Sequence, residues 1–160
     1  MDSDHRQKAW DLFQEAYQEQ MQGRFDRAVD LYKESLAECP TAEAHTFLGW
    51  TYHFQGKIHE AIAECKHAIE VDPDFGNPYN DIGSYLIELG RYDEAIPWLE
   101  RAIGAQRYEP RHFPHFNLGR AYMAKRNFER ARRCFHEAIR IEPNYLLARR
   151  AIENLRRLMN

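Results

Sequence analysis

Residues 42–75, AEAHTFLGWTYHFQGKIHEAIAECKHAIEVDPDF, predict two short amphipathic helices joined by a tight turn. In the first helix, Leu48 and Gly49 fall on one face, where the glycine lets another helix approach closely. Gly56 then supplies a turn position that accepts a positive φ. The second helix ends at Asp72, because the residue before a proline is pushed out of the helical region. Its apolar positions recur at steps of three and four residues: Ile58, Ala61, Ile62, Cys65, Ala68 and Ile69.

Two helices this short cannot bury both of their apolar faces alone, so the unit requires neighbours. The sequence contains them, since one alanine of the second helix recurs with separations of 33, 34 and 36 residues. The same period brings back the turn glycine and the terminal proline. Self-similarity at this period predicts a solenoid of stacked helix pairs. The recurring positions are Ala28, Ala61, Ala95 and Ala131, with Gly23, Gly56 and Gly90, and with Pro40, Pro73 and Pro143.

One set of packing residues occurs in the second repeat as His45, Leu48, Gly49, Tyr52, Ala61, Cys65 and Pro73. The fourth repeat carries the same set as His115, Leu118, Gly119, Tyr122, Ala131, Phe135 and Pro143. These residues resemble the tetratricopeptide repeat (TPR) family over about residues 8–158. The resemblance implies an all-α, right-handed superhelical solenoid that forms a single domain over residues 1–160. Its four helix–turn–helix repeats span about residues 9–41, 42–75, 76–111 and 112–145.

Several positions depart from this pattern. Glu15 and Glu19 stand in the first repeat where the second has apolar residues, which suits an end helix with one side in solvent. Pro97 lies inside a predicted helix and should bend its first turns. Arg126 replaces the turn glycine of the fourth repeat. Residues 104–114, GAQRYEPRHFP, form the irregular stretch of the chain and are expected to act as a movable lip.

The last segment, about residues 144–158, predicts a ninth helix that caps the solenoid. An open end of a repeat array needs a helix with one polar face. Leu147, Ile152 and Leu155 are therefore predicted to be buried against the fourth repeat. The apolar face consists of Leu147, Ala151, Ile152, Leu155 and Leu158, and Arg149, Arg150, Arg156 and Arg157 cover the other side.

The composition restricts the class of protein. Of 160 residues, 44% are apolar and 13% are aromatic, which is enough for a continuous core. No apolar run approaches the roughly 18 residues of a membrane span, and the N-terminus lacks an apolar signal core. We therefore expect a cytoplasmic protein that does not enter a membrane. The three cysteines are too few for a disulfide framework, and Cys65 and Cys134 share one predicted core position.

Charge is distributed unevenly, although the net charge of the chain is only −3. Residues 1–106 carry a net charge of −11, whereas residues 107–160 carry +8. The array is thus predicted to be a dipole with an acidic start and a basic end. The basic third is expected to attract an acidic surface, on a partner or on another copy, and a solvated helix face is the alternative.

The sequence offers no constellation of acid, base and nucleophile, so we expect neither an enzyme nor a cofactor. Its glycines are spread one to a helix or turn, which does not match a phosphate-binding loop. His112 and His115, three residues apart, form the best pair of metal ligands. Without a third ligand in the sequence, no metal site is predicted.

The resemblance implies that the first helix of each repeat lines a concave groove where ligands bind. Aromatic residues at such positions indicate a binding surface, because they dominate contact energies. Packing on a neighbouring helix is the alternative for each of them. We expect Trp50 to be the centre of the groove, and Arg120 to be its one cation and to take a ligand carboxylate. The predicted groove residues are Trp10, Phe13, Tyr17, Thr46, Trp50, His53, Phe54, Asn77, Asn80, Ser84, Phe113, Phe116 and Arg120.

Chaperone-binding members of the family resemble each other in a lysine and asparagine clamp for a C-terminal carboxylate. The lysines of that clamp are missing here, so a mainly apolar or mixed peptide fits the groove better. We therefore predict a non-catalytic protein–protein interaction scaffold that binds a peptide or helix of a partner. The positions that match the clamp are Phe13, Tyr17, Trp50, Asn80 and Ser84.

Two other functions stay open. The acidic start of one copy could stack on the basic end of the next, which would give a self-assembling structural protein whose association weakens with salt. Helical repeats can also bind nucleic acid. The basic C-terminal third permits nucleic-acid binding, whereas the net charge of the chain opposes it.

Overall fold

The computed structural model describes residues 2–160, and within this range it contains nine α-helices and no β-strand. Their order confirms the predicted all-α solenoid of four helix pairs followed by a ninth helix. The helices of residues 2–160 include no candidate for a membrane span. The helices are α1 (Ser3–Met21), α2 (Phe25–Glu38), α3 (Ala42–Phe54), α4 (Ile58–Val71), α5 (Asn77–Glu88), α6 (Tyr92–Gly104), α7 (His112–Ala124), α8 (Phe128–Ile141) and α9 (Leu146–Met159).

The described chain divides into two compact units, an N-terminal unit that ends at Pro78 and a C-terminal unit, Tyr79–Asn160. The N-terminal unit contains the pairs α1–α2 and α3–α4. The C-terminal unit contains most of α5, the helices α6 to α8 and the final helix α9. The single domain predicted from the sequence stays a prediction, because each unit is compact by itself.

In the N-terminal unit, small residues lie where the helices of a pair meet. A Cβ added to Gly49 of α3 would come within 2.9 Å of the carbonyl oxygen of Ala61 in α4. Ala16 takes the equivalent position in α1 and is buried, so α1 keeps the repeat register with Glu15 exposed. The small residues thus allow the backbones of the two helices in each pair to approach closely. The core around them includes Ala28, Val29, Leu31, Tyr32 and Leu48.

The turns within the helix pairs share one backbone geometry. Gly23, Gly56 and Gly90 have φ values of 78°, 78° and 74°, in the left-handed region that favours glycine. Arg126 stands at this position in the fourth repeat and adopts a φ of 61°. A non-glycine residue pays for this conformation with roughly 1 kcal/mol of backbone strain. The turn geometry is therefore conserved within the chain even where the glycine is not.

In the C-terminal unit, α9 packs against α8 through Ala148, Ile152 and Leu155, which are buried. The prediction that Leu147 is buried is wrong, since 52% of it is exposed. The three buried residues recur at steps of four and three, and Leu147 is turned by about 100° from Ala148 around the helix axis. Leu158 lies on the same exposed side, with 55% exposure.

The irregular stretch before α7 is anchored to the C-terminal unit. Tyr108 is buried, and Nη2 of Arg111 donates to the carbonyl oxygens of Ala105 at 3.3 Å and Gln106 at 3.2 Å. Burial raises the pKa of Asp81 in α5 to about 7, and burial together with the Asp81 charge raises the pKa of Tyr108. These contacts hold in place a stretch that the sequence predicted to be a movable lip.

Candidate protein interaction surfaces

Phe47 of α3 is the centre of an aromatic cluster in the N-terminal unit. Its ring meets Phe13 and Tyr17 of α1 edge to face, with centroids 5.3 Å and 5.8 Å apart. Tyr32 of α2 lies 6.4 Å from Phe47, and Trp50 lies 5.8 Å away, one turn further along α3. Sequence reasoning missed Phe47. Its spacing of three residues from Trp50 was the available signal, because side chains three apart share a helix face.

Rings at both ends extend this cluster along α1 and α3. Trp10 stacks on Phe13, with centroids 5.5 Å apart and an interplanar angle of 12°. At the other end, Phe54 lies 5.4 Å from Trp50 and stacks on Phe25 of α2 at 5.4 Å. The set of rings on α1 and α3 is called the aromatic row here, and it consists of Trp10, Phe13, Tyr17, Phe47, Trp50 and Phe54.

Four of the six side chains in the aromatic row are exposed to solvent. The other two, Phe13 and Phe47, are half-buried and pack on the core of the unit. The exposed rings therefore rest on a fixed layer of rings, and together they form one apolar surface. The exposed fractions are 53% for Trp10, 41% for Tyr17, 37% for Trp50 and 49% for Phe54.

A cleft of about 210 Å³ adjoins the Trp10 end of the aromatic row. Its wall is mainly apolar, and one polar group on it is already used, since the Ser35 hydroxyl donates to the Ala9 carbonyl oxygen at 2.7 Å. Arg6 and Glu43 place one charge of each sign at the cleft. The full lining is Arg6, Ala9, Trp10, Phe13, Ser35, Cys39, Thr41 and Glu43.

The remaining predicted groove residues of the N-terminal unit contribute less to this surface. Thr46 is buried, and its hydroxyl donates to the Ala42 carbonyl oxygen at 2.7 Å. It therefore does not line an open groove, because a helical threonine can bond the carbonyl one turn back. His53 is half-buried, with its ring 5.9 Å from Phe54. Asn77 is half-buried at the first residue of α5.

A chain of polar side chains links α5 and α7 in the C-terminal unit. Asn117 donates from Nδ2 to Oδ1 of Asn80 at 2.9 Å, and Arg120 donates from Nη1 to Oδ1 of Asn117 at 3.0 Å. Asn80 and Asn117 are buried, whereas Arg120 and Ser84 are half-buried. The structure thus connects two predicted residues, Asn80 and Arg120, through Asn117, which sequence reasoning missed.

Phe113 and Phe116 of α7 pack against Tyr145, the residue that precedes α9. Their ring centroids lie 5.7 Å and 5.2 Å from that of Tyr145, and both contacts are edge to face. Phe116 also lies 5.6 Å from the buried Phe135. Burial raises the pKa of Tyr145, and the charge of Arg120 opposes this rise. For these two phenylalanines the structure supports packing within the unit rather than an open groove.

The two histidines considered for a metal site have other surroundings. His112 is buried between rings, 4.3 Å from Phe113 and 4.6 Å from Tyr145. Burial lowers the pKa of His115, which lies near Glu137 and Arg140. Within the described range, no group of three histidine, cysteine, aspartate or glutamate side chains is placed to hold a metal ion.

Sequence profiles of the tetratricopeptide repeat match overlapping parts of the chain from residue 9 to residue 145. This chain belongs to the tetratricopeptide repeat family. Two of the matches, residues 42–75 and 112–145, cover the helix pairs α3–α4 and α7–α8. The matched segments are residues 112–145, 42–75, 64–96, and, for one profile twice, 9–43 and 82–112.

Solved structures share this TPR fold. PilF of Pseudomonas aeruginosa is 21% identical, with a TM-score of 0.89 over 96% of this chain and 69% of that chain. MamA is 26% identical, with a TM-score of 0.74 over 88% of this chain and 81% of that chain. The first TPR of Spaghetti (RPAP3), solved bound to the HSP90 peptide SRMEEVD, is 21% identical with a TM-score of 0.70. That match covers 74% of this chain and 95% of the other.

Proposed function

We propose that this TPR protein is a non-catalytic protein–protein interaction scaffold that binds a peptide or helix of a partner on the aromatic row. The observation that carries the proposal is the group of four exposed aromatic side chains on α1 and α3. Contiguous exposed apolar surface of this kind marks interaction sites, and aromatic side chains are enriched among the residues that dominate binding energy. The RPAP3 domain bound to a peptide supports the general role.

The chemistry of the aromatic row favours an apolar or mixed segment as its ligand. Its six side chains carry no cation, and Phe13, Tyr17 and Trp50 occupy positions where chaperone-binding TPR domains hold a carboxylate clamp. The rigid rings lose little conformational freedom when they are covered, so each adds contact area at low entropic cost. The tyrosine hydroxyl and the tryptophan indole N–H offer hydrogen bonds at the edge of this surface.

The wider groove predicted from the sequence stays a prediction. The predicted groove residues that belong to the C-terminal unit are Asn80, Ser84, Phe113, Phe116 and Arg120. Phe113 and Phe116 offer less free surface than the row, since Tyr145 packs on both. The aromatic row alone is the proposed peptide-binding surface.

Selection of a displayed random peptide library on the full-length protein tests the proposal. The affinity of the selected peptide is then measured for the wild type, Trp10→Ala and Trp50→Ala. Each substitution is expected to weaken binding by roughly 30-fold, equivalent to about 2 kcal/mol, if the residue is an anchor. Val71→Ala is the matched control, because Val71 is an exposed apolar residue of the same unit outside the row. A lower melting temperature with unchanged affinity in both tryptophan variants would refute the proposal.

Self-association is the second candidate, and the charge distribution favours it. Residues 1–78 carry a net charge of −8 and residues 79–160 carry +5. The acidic unit of one copy therefore attracts the basic unit of another copy. Sedimentation velocity at rising salt concentration separates this function from peptide binding. The size of a charge-driven assembly decreases as salt screens the attraction, whereas the affinity of a peptide for the aromatic row changes little.

A further inference from the structure

The C-terminal unit contains a pocket of about 170 Å³ next to the irregular stretch before α7. Its walls come from the end of α6, from that stretch, from the start of α7 and from the end of α8. None of the groove residues predicted from the sequence lines this pocket. It is therefore a separate cavity from the predicted groove, and it also lies in another unit than the aromatic row.

A long junction between the third and fourth repeats supplies one wall of the pocket. The recurring alanines Ala95 and Ala131 are 36 residues apart, whereas Ala61 and Ala95 are 34 apart. The stretch between α6 and α7 accommodates the extra residues. Two of its side chains, Tyr108 and Arg111, line the pocket.

The inner part of the pocket is apolar. Ala102 and Pro114 are fully buried, and Ile103 and Ile141 are half-buried. An apolar cavity of roughly 150 Å³ in another protein holds benzene. A pocket of about 170 Å³ therefore has room for a ring or a branched chain of about six carbon atoms.

Arg111 is a fixed cation in the more exposed part of the pocket, and 41% of its side chain is exposed. Its Nη2 donates to the carbonyl oxygens of Ala105 and Gln106, which leaves the N–H donors of Nη1 and Nε. Glu109 lies 3.9 Å from Nε, with 85% of its side chain exposed. An ion pair this long and this exposed contributes little, so Arg111 keeps charge and donors for a ligand.

The other charged groups of the pocket balance each other. Nε of Arg140 donates to both carboxylate oxygens of Glu137, at 2.9 Å and 3.0 Å. Burial lowers the pKa of His115, the Glu137 charge opposes this, and the Arg140 charge adds to it. The His115 ring is therefore neutral at pH 7, and the positive charge of Arg111 is the one without a strong partner.

Tyr108 adds a buried donor to this part of the pocket. Only 4% of Tyr108 is exposed, and its hydroxyl makes no hydrogen bond within residues 2–160. Burial and the charge of Asp81 raise the pKa of Tyr108, so the hydroxyl keeps its proton and can donate. A buried hydroxyl without a partner costs free energy, and a ligand oxygen that accepts from it removes this cost.

We propose that this pocket binds a small monocarboxylic acid with an apolar body, of about the size of benzoate. The carboxylate accepts hydrogen bonds from Arg111 and Tyr108, and the apolar body lies on Ala102, Ile103 and Ile141. The protein then has a site for a small molecule in addition to its proposed peptide-binding surface. Because the ligand contacts the stretch before α7 as well as α6 and α8, its binding also stabilises this part of the unit.

A carboxylate with an apolar body fits the pocket better than inorganic phosphate does. Phosphate offers more oxygen atoms and charge than Arg111 and Tyr108 can satisfy, and it leaves the apolar inner walls uncovered. A neutral molecule of the same shape covers those walls but leaves the charge of Arg111 without a partner. The acid is the ligand that uses both parts of the pocket.

Isothermal titration calorimetry on the full-length protein tests the proposal with benzoate and isovalerate, each compared with its amide, and with inorganic phosphate. We expect the better acid to bind at least about tenfold more tightly than its amide, and more tightly than phosphate. Arg111→Gln is expected to weaken this acid by about tenfold or more, and Tyr108→Phe by several-fold. Arg132→Gln is the matched control, because Arg132 pairs with Glu129 on α8 and does not line the pocket.

Tyr108→Phe keeps the test decisive if Arg111→Gln loosens the stretch before α7. It removes a hydroxyl without a partner in the fold, so the melting temperature should stay unchanged or rise. Binding of neither acid, or equal affinities for an acid and its amide, would overturn the proposal. It would also fall if Arg111→Gln and Tyr108→Phe both bound the acid as Arg132→Gln does. Tighter binding of the tripeptide Gly-Gly-Phe than of either acid would assign the pocket to the end of a polypeptide instead.

Discussion

The ring of Phe47 in α3 lies edge to face against the ring of Phe13 in α1, with their centroids 5.3 Å apart. This contact joins the first helices of two successive repeats and supports the exposed rings on either side, Trp10 and Trp50. The aromatic row is therefore both a packing contact and a surface. Substitutions of its half-buried members should mainly lower stability, whereas substitutions of its exposed members should mainly weaken binding.

Phe47→Ala is expected to lower the free energy of unfolding by about 3 kcal/mol, because it removes a ring that contacts Phe13, Tyr17 and Tyr32. Trp10→Ala removes an exposed ring and should cost about 1 kcal/mol or less. Urea denaturation of both variants provides the comparison. Equal losses of stability would show that the row has no distinct buried layer.

Leu155→Ala and Leu158→Ala form a matched pair on α9. Leu155 is buried on the α8 side, so its truncation leaves a cavity and should cost about 3 kcal/mol. Leu158 is exposed, and its truncation should change stability by about 0.5 kcal/mol or less. Thermal denaturation monitored by circular dichroism measures both. A loss at Leu158 that matches the loss at Leu155 would mean that the packing face of α9 is broader than the structure shows.

Arg126→Gly is expected to stabilise the protein by about 0.5–1 kcal/mol, because glycine adopts the left-handed φ of 61° without strain. The Arg126 guanidinium lies 5.3 Å from the centre of the Phe128 ring, and losing this contact offsets part of the gain. Gly56→Ala is the reverse control and should destabilise by about 1 kcal/mol, since it places a Cβ at a φ of 78°. A decrease in melting temperature for Arg126→Gly would contradict this account of the turn.

Asp81 is expected to make stability fall as pH rises. Burial raises its pKa to about 7 in the folded protein, above the value of 3.8 for an unburied aspartate. A group whose pKa is raised by folding stabilises the protein most below the unfolded pKa, and this contribution disappears as pH passes through the folded pKa. Unfolding measured from acidic to slightly alkaline pH should show that loss between about pH 4 and pH 7.

Asp81→Asn should remove this slope and stabilise the protein above pH 7 by about 1–3 kcal/mol, since an amide carries no charge to desolvate. Asp30→Asn is the control, because Asp30 is an exposed aspartate of α2. The slope should persist in the Asp30 variant. If it persists equally in Asp81→Asn, the desolvated carboxyl is not its source.

The repeat and most of the packing within each helix pair could be predicted from the order of the amino acids. The alanine and glycine positions recur because each pair requires the same close approach and the same left-handed turn, which are local demands. For the same reason the position of Arg126 in a glycine turn could be predicted before its φ was known. Nine helices followed from this periodicity, since every repeat supplies one pair and the last apolar stripe supplies the cap.

Which of the predicted residues reach solvent could be learned only from the folded chain. Trp50 and Phe113 are both aromatic residues on the first helix of a repeat, yet Trp50 is exposed while Tyr145 packs on Phe113. The Thr46 hydroxyl donates to a carbonyl oxygen of its own helix and is buried there. On α9, Ala148 rather than Leu147 faces α8. Exposure depends on which distant segment covers a side chain, and helical periodicity carries no information about that partner. The aromatic row could therefore be recognised as a surface only when the neighbours of each ring were known.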